Sequence, residues 1–252
     1  MQAFVQSHPF LWPFLFGALL YGVRYIVMAV AMYCVTTPAP GRGWGRPHQR
    51  TPQNFDAAIN IRRELGYSVF SVIAFGLVNA ALFGFGWINA SMMYLQLSLF
   101  PIWWFWLSVV VMLVFHDTLF YWLHRVMHTR TLYRVMHKVH HQSIYPTAFA
   151  AYSFHPTEAF AEALIVTAIL YSVPAHPLAF LIFQTLSTAY NVYGHCGREF
   201  YPKGTASHWF GRWLNTSTAH AAHHFDARDN YGLYFMFWDR AMKTVANAPV
   251  EE

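Results

Sequence analysis

Apolar and polar positions along the chain fall into long apolar runs separated by short polar, basic stretches. The first three runs cover residues 9–35, 67–88 and 99–122. Each is long enough for a bilayer span, which takes about 20 predominantly apolar residues. A fourth apolar stretch, 160–190, is broken at Val173-Pro174-Ala175-His176-Pro177. Proline disrupts a helix interior, so this stretch predicts a helical hairpin whose tip reaches the far side of the membrane. Residues 36–66 turn to Pro, Gly and Arg, which predicts a loop with a short interfacial helix over 55–65. The connector 89–98 carries no charge, whereas 123–156 and 191–252 are polar and basic. The fold class expected is an all-α integral membrane protein with about four transmembrane spans, the last two forming a helical hairpin, and a helical, histidine-rich domain at one membrane face.

Composition agrees with this pattern. Of 252 residues, 56% are hydrophobic and only 11% are charged, against about 25% charged in a soluble domain. The net charge of +5 would suggest nucleic acid if the cations were clustered, but their placement excludes that reading. Of sixteen Lys and Arg, five lie in 36–66, four in 125–138 and six from Arg198 onward. All three basic regions therefore fall on one side, the cytoplasmic one by the positive-inside rule. The sixteenth, Arg24, interrupts the first run, and a tilted helix would let it snorkel to the interface; pairing inside the bundle or lining a polar pocket is the alternative. Trp103, Trp104 and Trp106 resemble an interfacial aromatic belt. Cys34 and Cys196 are expected as reduced thiols. The N-terminus lacks the basic region of a cleaved signal peptide.

Histidines then change the picture. His124 and His128, the set His137, His140 and His141, and the set His220, His223 and His224 repeat helical spacings, the last two sets as H-x-x-H-H. Residues i, i+3 and i+4 share a helix face, so each set is expected to aim its rings at a common point. Neutral imidazole suits iron, zinc, copper and nickel, and eight rings exceed the capacity of one ion, which predicts two metals. Asp117, two turns before His124, is expected to hold a ligating ring from behind, with an ion pair to Arg125 or Arg134 as the alternative. His48 reads as a solvated loop residue. His8, His116, His176 and His208 fall outside the sets.

The segment Asp117-Thr-Leu-Phe-Tyr121-Trp122-Leu-His124-Arg125-Val-Met-His128 resembles the first histidine box of the fatty acid hydroxylase/sterol desaturase superfamily. His137-Lys-Val-His140-His141 resembles its second box and His220-Ala-Ala-His223-His224 its third. Asn230-Tyr231-Gly232 and Trp238-Asp239-Arg240 are similar to the segment that follows the third box. Pro146-Thr147 and Phe154-His155-Pro156 resemble the sterol C-5 desaturase (lathosterol oxidase) branch. The resemblance covers 99–244, so residues 1–98 are expected to form N-terminal spans and a basic loop, and 99–252 the catalytic region. Where relatives often carry a further histidine before the third box, this chain has Ala219.

What the resemblance implies is a membrane enzyme holding two iron ions, with zinc possible in recombinant material. It would use O₂ and external electrons to hydroxylate or desaturate a lipid, a sterol or related molecule being the expected substrate. Its alternatives in the same architecture are a fatty-acid, carotenoid or ether-lipid hydroxylase or monooxygenase. The implied ligands are the eight box histidines with His195 as a ninth; His155 is a candidate tenth. Asp117, Glu158, Asn191 and Asp226 are expected to orient ligand rings. No G-x-G-x-x-G or Walker motif appears, so electrons are expected from a separate protein such as cytochrome b5 or a ferredoxin with its reductase, and the membrane is expected to be a bacterial inner membrane. A zinc-dependent hydrolase lacks its H-E-x-x-H here, and a metal transporter would need ligands within the spans.

Overall fold

The computed structural model describes residues 7–37, 43–48 and 57–246. Arg42, Arg50 and the first two residues of the interfacial helix expected over 55–65 lie outside these. Three helices are long and apolar enough to cross a membrane: α1 (Leu11–Thr36), α2 (Ala57–Gly84) and α3 (Ile102–Met127). The expected interfacial helix and second span are one element: α2 runs unbroken from 57 to 84, because nothing between Ala58 and Gly84 is a Pro and Gly66 alone does not end a helix. Side chains facing outward on these helices are apolar, among them Phe16, Leu19, Val69 and Trp103, as lipid contact requires. Trp104 instead turns inward, its indole N–H donating to Pro174 O at 2.9 Å.

Past α3 the chain makes a broken helical turn: α4 (Arg130–Leu132), a π-helical turn at Tyr133–His137 and α5 (Lys138–His141). The expected hairpin follows as α6 (Pro156–Ser172) and α7 (Pro177–His195). Each begins with a His-Pro pair in which proline sits in the first turn, where its missing N–H is harmless. The His155 side chain accepts from Thr157 N and His176 from Leu178 N, capping the two helices. The hairpin tip lies beside the connector 87–99, since Met92 N donates to Leu170 O at 2.9 Å and Tyr94 N to Ala175 O at 3.1 Å. At the opposite end, β1 (Arg46–Pro47) pairs antiparallel with β2 (Arg198–Glu199). His48, expected to be solvated, is buried there, its N–H donating to Gly197 O. The chain then forms α8 (Ser217–Asp226) and α9 (Phe237–Met242) over the histidine end of the bundle.

Arg24 departs from the snorkelling expectation. It points into the bundle, donating from Nε to Thr188 Oγ1 at 3.0 Å and from a terminal nitrogen to Gln184 Oε1 at 3.2 Å. From mid-helix in α1 these acceptors on α7 are within reach, whereas either membrane face is several turns away. A second polar tie was not visible in the sequence. Glu64 of α2 is fully buried and accepts from Ser143 Oγ at 2.8 Å and from the Thr147 hydroxyl and N–H. It fastens α2 to the loop that leaves α5. Cys34 is exposed and Cys196 buried, and both are free.

Glu64→Ala strands the Ser143 and Thr147 donors in a buried site and is expected to destabilise by about 2–3 kcal/mol. Thermal unfolding in detergent should show a midpoint several degrees lower; an unchanged midpoint would remove Glu64 as a tie between these elements.

Candidate metal centre

Nine histidines converge at the end of the bundle opposite the hairpin tip, and they form two groups. His124, His128, His137, His141 and His223 make the first, and His140, His195, His220 and His224 the second. Within each group the nearest ring nitrogens all lie within 4.8 Å of one another. The sets therefore do not each aim at one point, as the spacing had suggested. The i, i+4 pairs stay together (124 with 128, 137 with 141, 220 with 224), while the i+3 member of each H-x-x-H-H crosses to the other group. Neighbouring residues on a helix point about 100° apart, so His140 and His141, like His223 and His224, must diverge. Two pairs of adjacent histidines, 140/141 and 223/224, thus tie the groups into one centre.

Ring nitrogens within the groups approach edge to edge. His124 Nε2 lies 3.0 Å from His137 Nε2, and His141 Nε2 lies 3.1 Å from His223 Nε2. His195 Nε2 lies 2.9 Å from His220 Nε2 and 3.1 Å from both His140 and His224 Nε2. An ion bound at about 2.1 Å by imidazoles at right angles would space its donors by about 3.0 Å. The nitrogens present fit one such ion per group.

Four of the rings, His124, His137, His195 and His223, are held from behind through Nδ1, which leaves the Nε2 lone pair facing inward. His124 Nδ1 donates to Tyr231 O at 2.8 Å, His195 to Asn191 O at 2.7 Å and His223 to Asp229 O at 2.6 Å. His137 Nδ1 meets Glu158 Oε1 at 2.6 Å, the contact expected of Glu158. Burial holds the imidazoles outside the spans below their ordinary range, His223 at about 4 and His137, His140, His141, His220 and His224 well below 6.5. They are neutral, the form that binds metal.

Three expected ring-orienting residues act otherwise. Asp117 meets no histidine and neither Arg125 nor Arg134; its Oδ1 accepts from the N–H groups of Leu233, Tyr234 and Phe235. It clamps the loop whose Tyr231 carbonyl holds His124, so it acts at one remove. Asn191 uses its backbone carbonyl, not its side chain, which donates to Ala151 O. Asp226 is exposed, 3.8 Å from Arg228. His155 joins neither group; its Nδ1 caps α6 through Thr157.

Sequence reasoning missed Asp239, fully buried, which accepts from Tyr231 N and Gly232 N at 2.8 Å each and clamps the same loop from the other side. Its signal was present in Trp238-Asp239-Arg240. The loop also relies on Ala227 and Asn230 at positive φ, 57° and 58°. Ala227 ends α8 abruptly enough for Asp229 O to return to His223, and Asn230, a residue tolerant of this conformation, donates to Ala219 O. His116, outside the sets, is buried against Tyr234, its Nδ1 2.8 Å from the phenol oxygen.

Residues 109–244 match the fatty acid hydroxylase family. The chain is 33% identical over 182 residues to lathosterol oxidase of Rattus norvegicus and 31% identical to that of Homo sapiens, each alignment covering 71% of this chain and 59% of the relative. It is 27% identical over 179 residues to a Delta(7)-sterol 5(6)-desaturase of Gibberella zeae, covering 71% of this chain and 54% of that protein. The chain thus spans between half and two thirds of the length of these relatives. No solved structure matches. With the three histidine boxes, the membrane helices and a family match over more than half its length, the chain belongs to the fatty acid hydroxylase family, in its sterol desaturase branch.

Proposed function

We propose that the protein is a membrane-bound di-iron oxygenase that uses O₂ and external electrons to hydroxylate or desaturate a C–H bond of a sterol or related lipid. The observation that carries this reading is the pair of histidine groups, each spaced for one ion. Bound as iron, such a pair supplies the redox chemistry for attack on an unactivated C–H bond, which amino-acid side chains lack. The first ion would be held by His124, His128, His137, His141 and His223, and the second by His140, His195, His220 and His224. The protein's own contribution is to keep these rings neutral, to fix the tautomers of His124, His137, His195 and His223 through Nδ1, and to hold the rings at the top of the apolar bundle. The sterol substrate is supported by the lathosterol oxidase and Delta(7)-sterol 5(6)-desaturase relatives. A nine-imidazole centre is more than a zinc hydrolase uses, which keeps an open position beside about three ligands.

We place the hairpin as the fourth crossing, with the histidine end on the cytoplasmic side of a bacterial inner membrane. The support is the one-sided placement of fifteen of the sixteen Lys and Arg. That basic face suits an acidic donor such as cytochrome b5, or a ferredoxin with its reductase.

Metal analysis of purified protein should find close to two ions per chain, iron in active enzyme and zinc where it substitutes during overexpression. His195→Ala should lower that content and abolish O₂-dependent turnover, while His208→Ala, at an exposed position, should leave both intact. A well-folded preparation with one ion, or full occupancy in His195→Ala, would contradict the assignment.

Chelator-treated protein should lose stability on acidification. His223 titrates at about 4 and His128 at about 3 in the folded chain, against 6.5 ordinarily. Between these values the unfolded chain takes up protons that the folded chain refuses, so stability is complete above 6.5 and falls as the pH drops toward 4. Unfolding midpoints at pH 7.5 and pH 5 measure the effect, and equal midpoints would show that these rings are not buried as neutral imidazoles.

In a Cys34→Ser background, His208→Cys should react with a membrane-impermeant thiol reagent from the cytoplasmic side and Trp87→Cys from the opposite side. Labelling of both from one side would overturn the orientation.

A further inference from the structure

A cavity of about 390 Å³ lies inside the bundle below the histidines, walled mostly by apolar side chains of α1, α2, α3, α6 and α7. Its upper wall meets the metal centre. Phe154 and Phe120 line it, and their rings lie 5.2 Å from that of His140 and 5.1 Å from that of His124. At mid-depth the apolar wall is interrupted where Arg24 of α1 meets Gln184 and Thr188 of α7. Those two hydrogen bonds use two of the five N–H groups of the guanidinium. Among the described residues Arg24 forms no ion pair. Gln184 is only 6% exposed, and its Nε2 is buried without a hydrogen-bond partner.

An unneutralised cation midway along a membrane helix and a buried amide with an idle donor are both costly. Holding α1 against α7 does not require them, since an apolar pair of similar volume would do so without the desolvation cost. Both side chains line the cavity, and both have spare donor capacity. We infer that Arg24 and Gln184 bind a hydrogen-bond-accepting oxygen of the substrate, the hydroxyl or carboxylate of an otherwise apolar molecule, and thereby determine which carbon reaches the metal centre. This rests on the proposed lipid oxidation insofar as the bound molecule is the substrate. Arg24 lies outside the family-matched stretch 109–244, so the proposed contact draws on the N-terminal spans.

The geometry also fixes a length. Thr188 and Gln184 precede His195 on α7 by seven and eleven residues, which is about 10 and 16 Å of helix rise. The attacked carbon is separated from the anchored oxygen by a distance of that order. A sterol held by its 3-hydroxyl would present its D ring or side chain, not the 5(6) bond that the Delta(7)-sterol 5(6)-desaturase relatives are named for, and a fatty acid held by its carboxylate would present a mid-chain methylene.

The test is equilibrium binding to the full-length protein in lipid nanodiscs, without an electron donor so that no turnover occurs. Cholestanol and palmitate are compared with their oxygen-free counterparts, cholestane and hexadecane. At least one oxygenated ligand should bind about tenfold or more tightly than its hydrocarbon, the range of a charge-assisted hydrogen bond. Preference for cholestanol assigns a hydroxyl, and preference for palmitate a carboxylate. In Arg24→Leu and Gln184→Leu the preference should shrink to about twofold or less while hydrocarbon affinity is retained, an outcome that a merely structural role would not produce. Unfolding midpoint and metal content verify folding; should Arg24→Leu fail to fold, Arg24→Lys and Gln184→Leu carry the comparison. Equal affinity for oxygenated and oxygen-free ligands, no binding of either oxygenated ligand, or a preference that survives in the variants would overturn the inference. Since binding is read without turnover, absence of O₂-dependent oxidation would count against the proposed function and leave this result standing.

Discussion

Nine neutral imidazoles, eight of them buried and His128 half-buried, whose ring nitrogens approach to about 3 Å, are the constraint on which the rest of the structure depends. Ring nitrogens so close have no reason to gather without something between them, because lone pairs that face each other repel and buried polar atoms need partners. Each ring must also be held from the other side or it would rotate away. That requirement explains features that are otherwise awkward. The π-helical turn at Tyr133–His137 sets His137 back onto Glu158, and such turns are found mostly at functional sites. Ala227 accepts a left-handed conformation that alanine ordinarily avoids, which brings Asp229 O to His223. The two buried carboxylates Asp117 and Asp239 are spent on backbone N–H groups of one loop, 231–235, because that loop supplies the carbonyl behind His124.

The placement of the centre follows from the membrane. Helices α1, α2 and α3 meet lipid with apolar side chains and end where the histidines begin. A cavity then opens beneath the rings, inside the apolar bundle rather than toward water. A lipid can enter such a space from the bilayer without being transferred through solvent, and its walls are mostly apolar, with polar side chains at Arg24, Gln184 and Thr188 and at Asn79, His116 and Glu162. The polar cap of α8, α9 and the paired strands closes the other side. The result is a histidine centre with a mostly apolar cavity below it and a polar cap above.

Much of this was legible in the sequence, for identifiable reasons. A membrane span declares itself by composition, so α1 and α3 were placed within a few residues. The broken run at Pro174 and Pro177 gave the hairpin because proline acts locally. Histidine spacing singled out the eight box histidines that the fold brings together, since helical periodicity is a local property, and the sequence order of the boxes pointed to the family. The boundary between the expected interfacial helix and the second span was not real, because polar residues at the start of α2 continue a helix as readily as they begin a loop. His155 and His176 looked alike in their His-Pro setting, and both prove to be caps, a role that a motif of spacing does not reveal.

What the sequence determined by itself is therefore the set of local properties: which stretches are apolar enough to enter lipid and which helix faces carry imidazoles. Only the tertiary structure decided how those imidazoles divide, because the i+3 member of each H-x-x-H-H crosses to the other group and its destination depends on how α5, α7 and α8 meet. It alone enlisted His195, whose single ring has no spacing to advertise it, by returning α7 to the histidine end. It also took Asp226 out of the centre and put Asp239 to use beneath it, and turned Arg24 inward to Gln184 and Thr188. Each of these outcomes rests on partners far apart in the chain, and the energy of a buried charge or donor is set by the neighbours that folding brings to it rather than by the residues beside it in sequence.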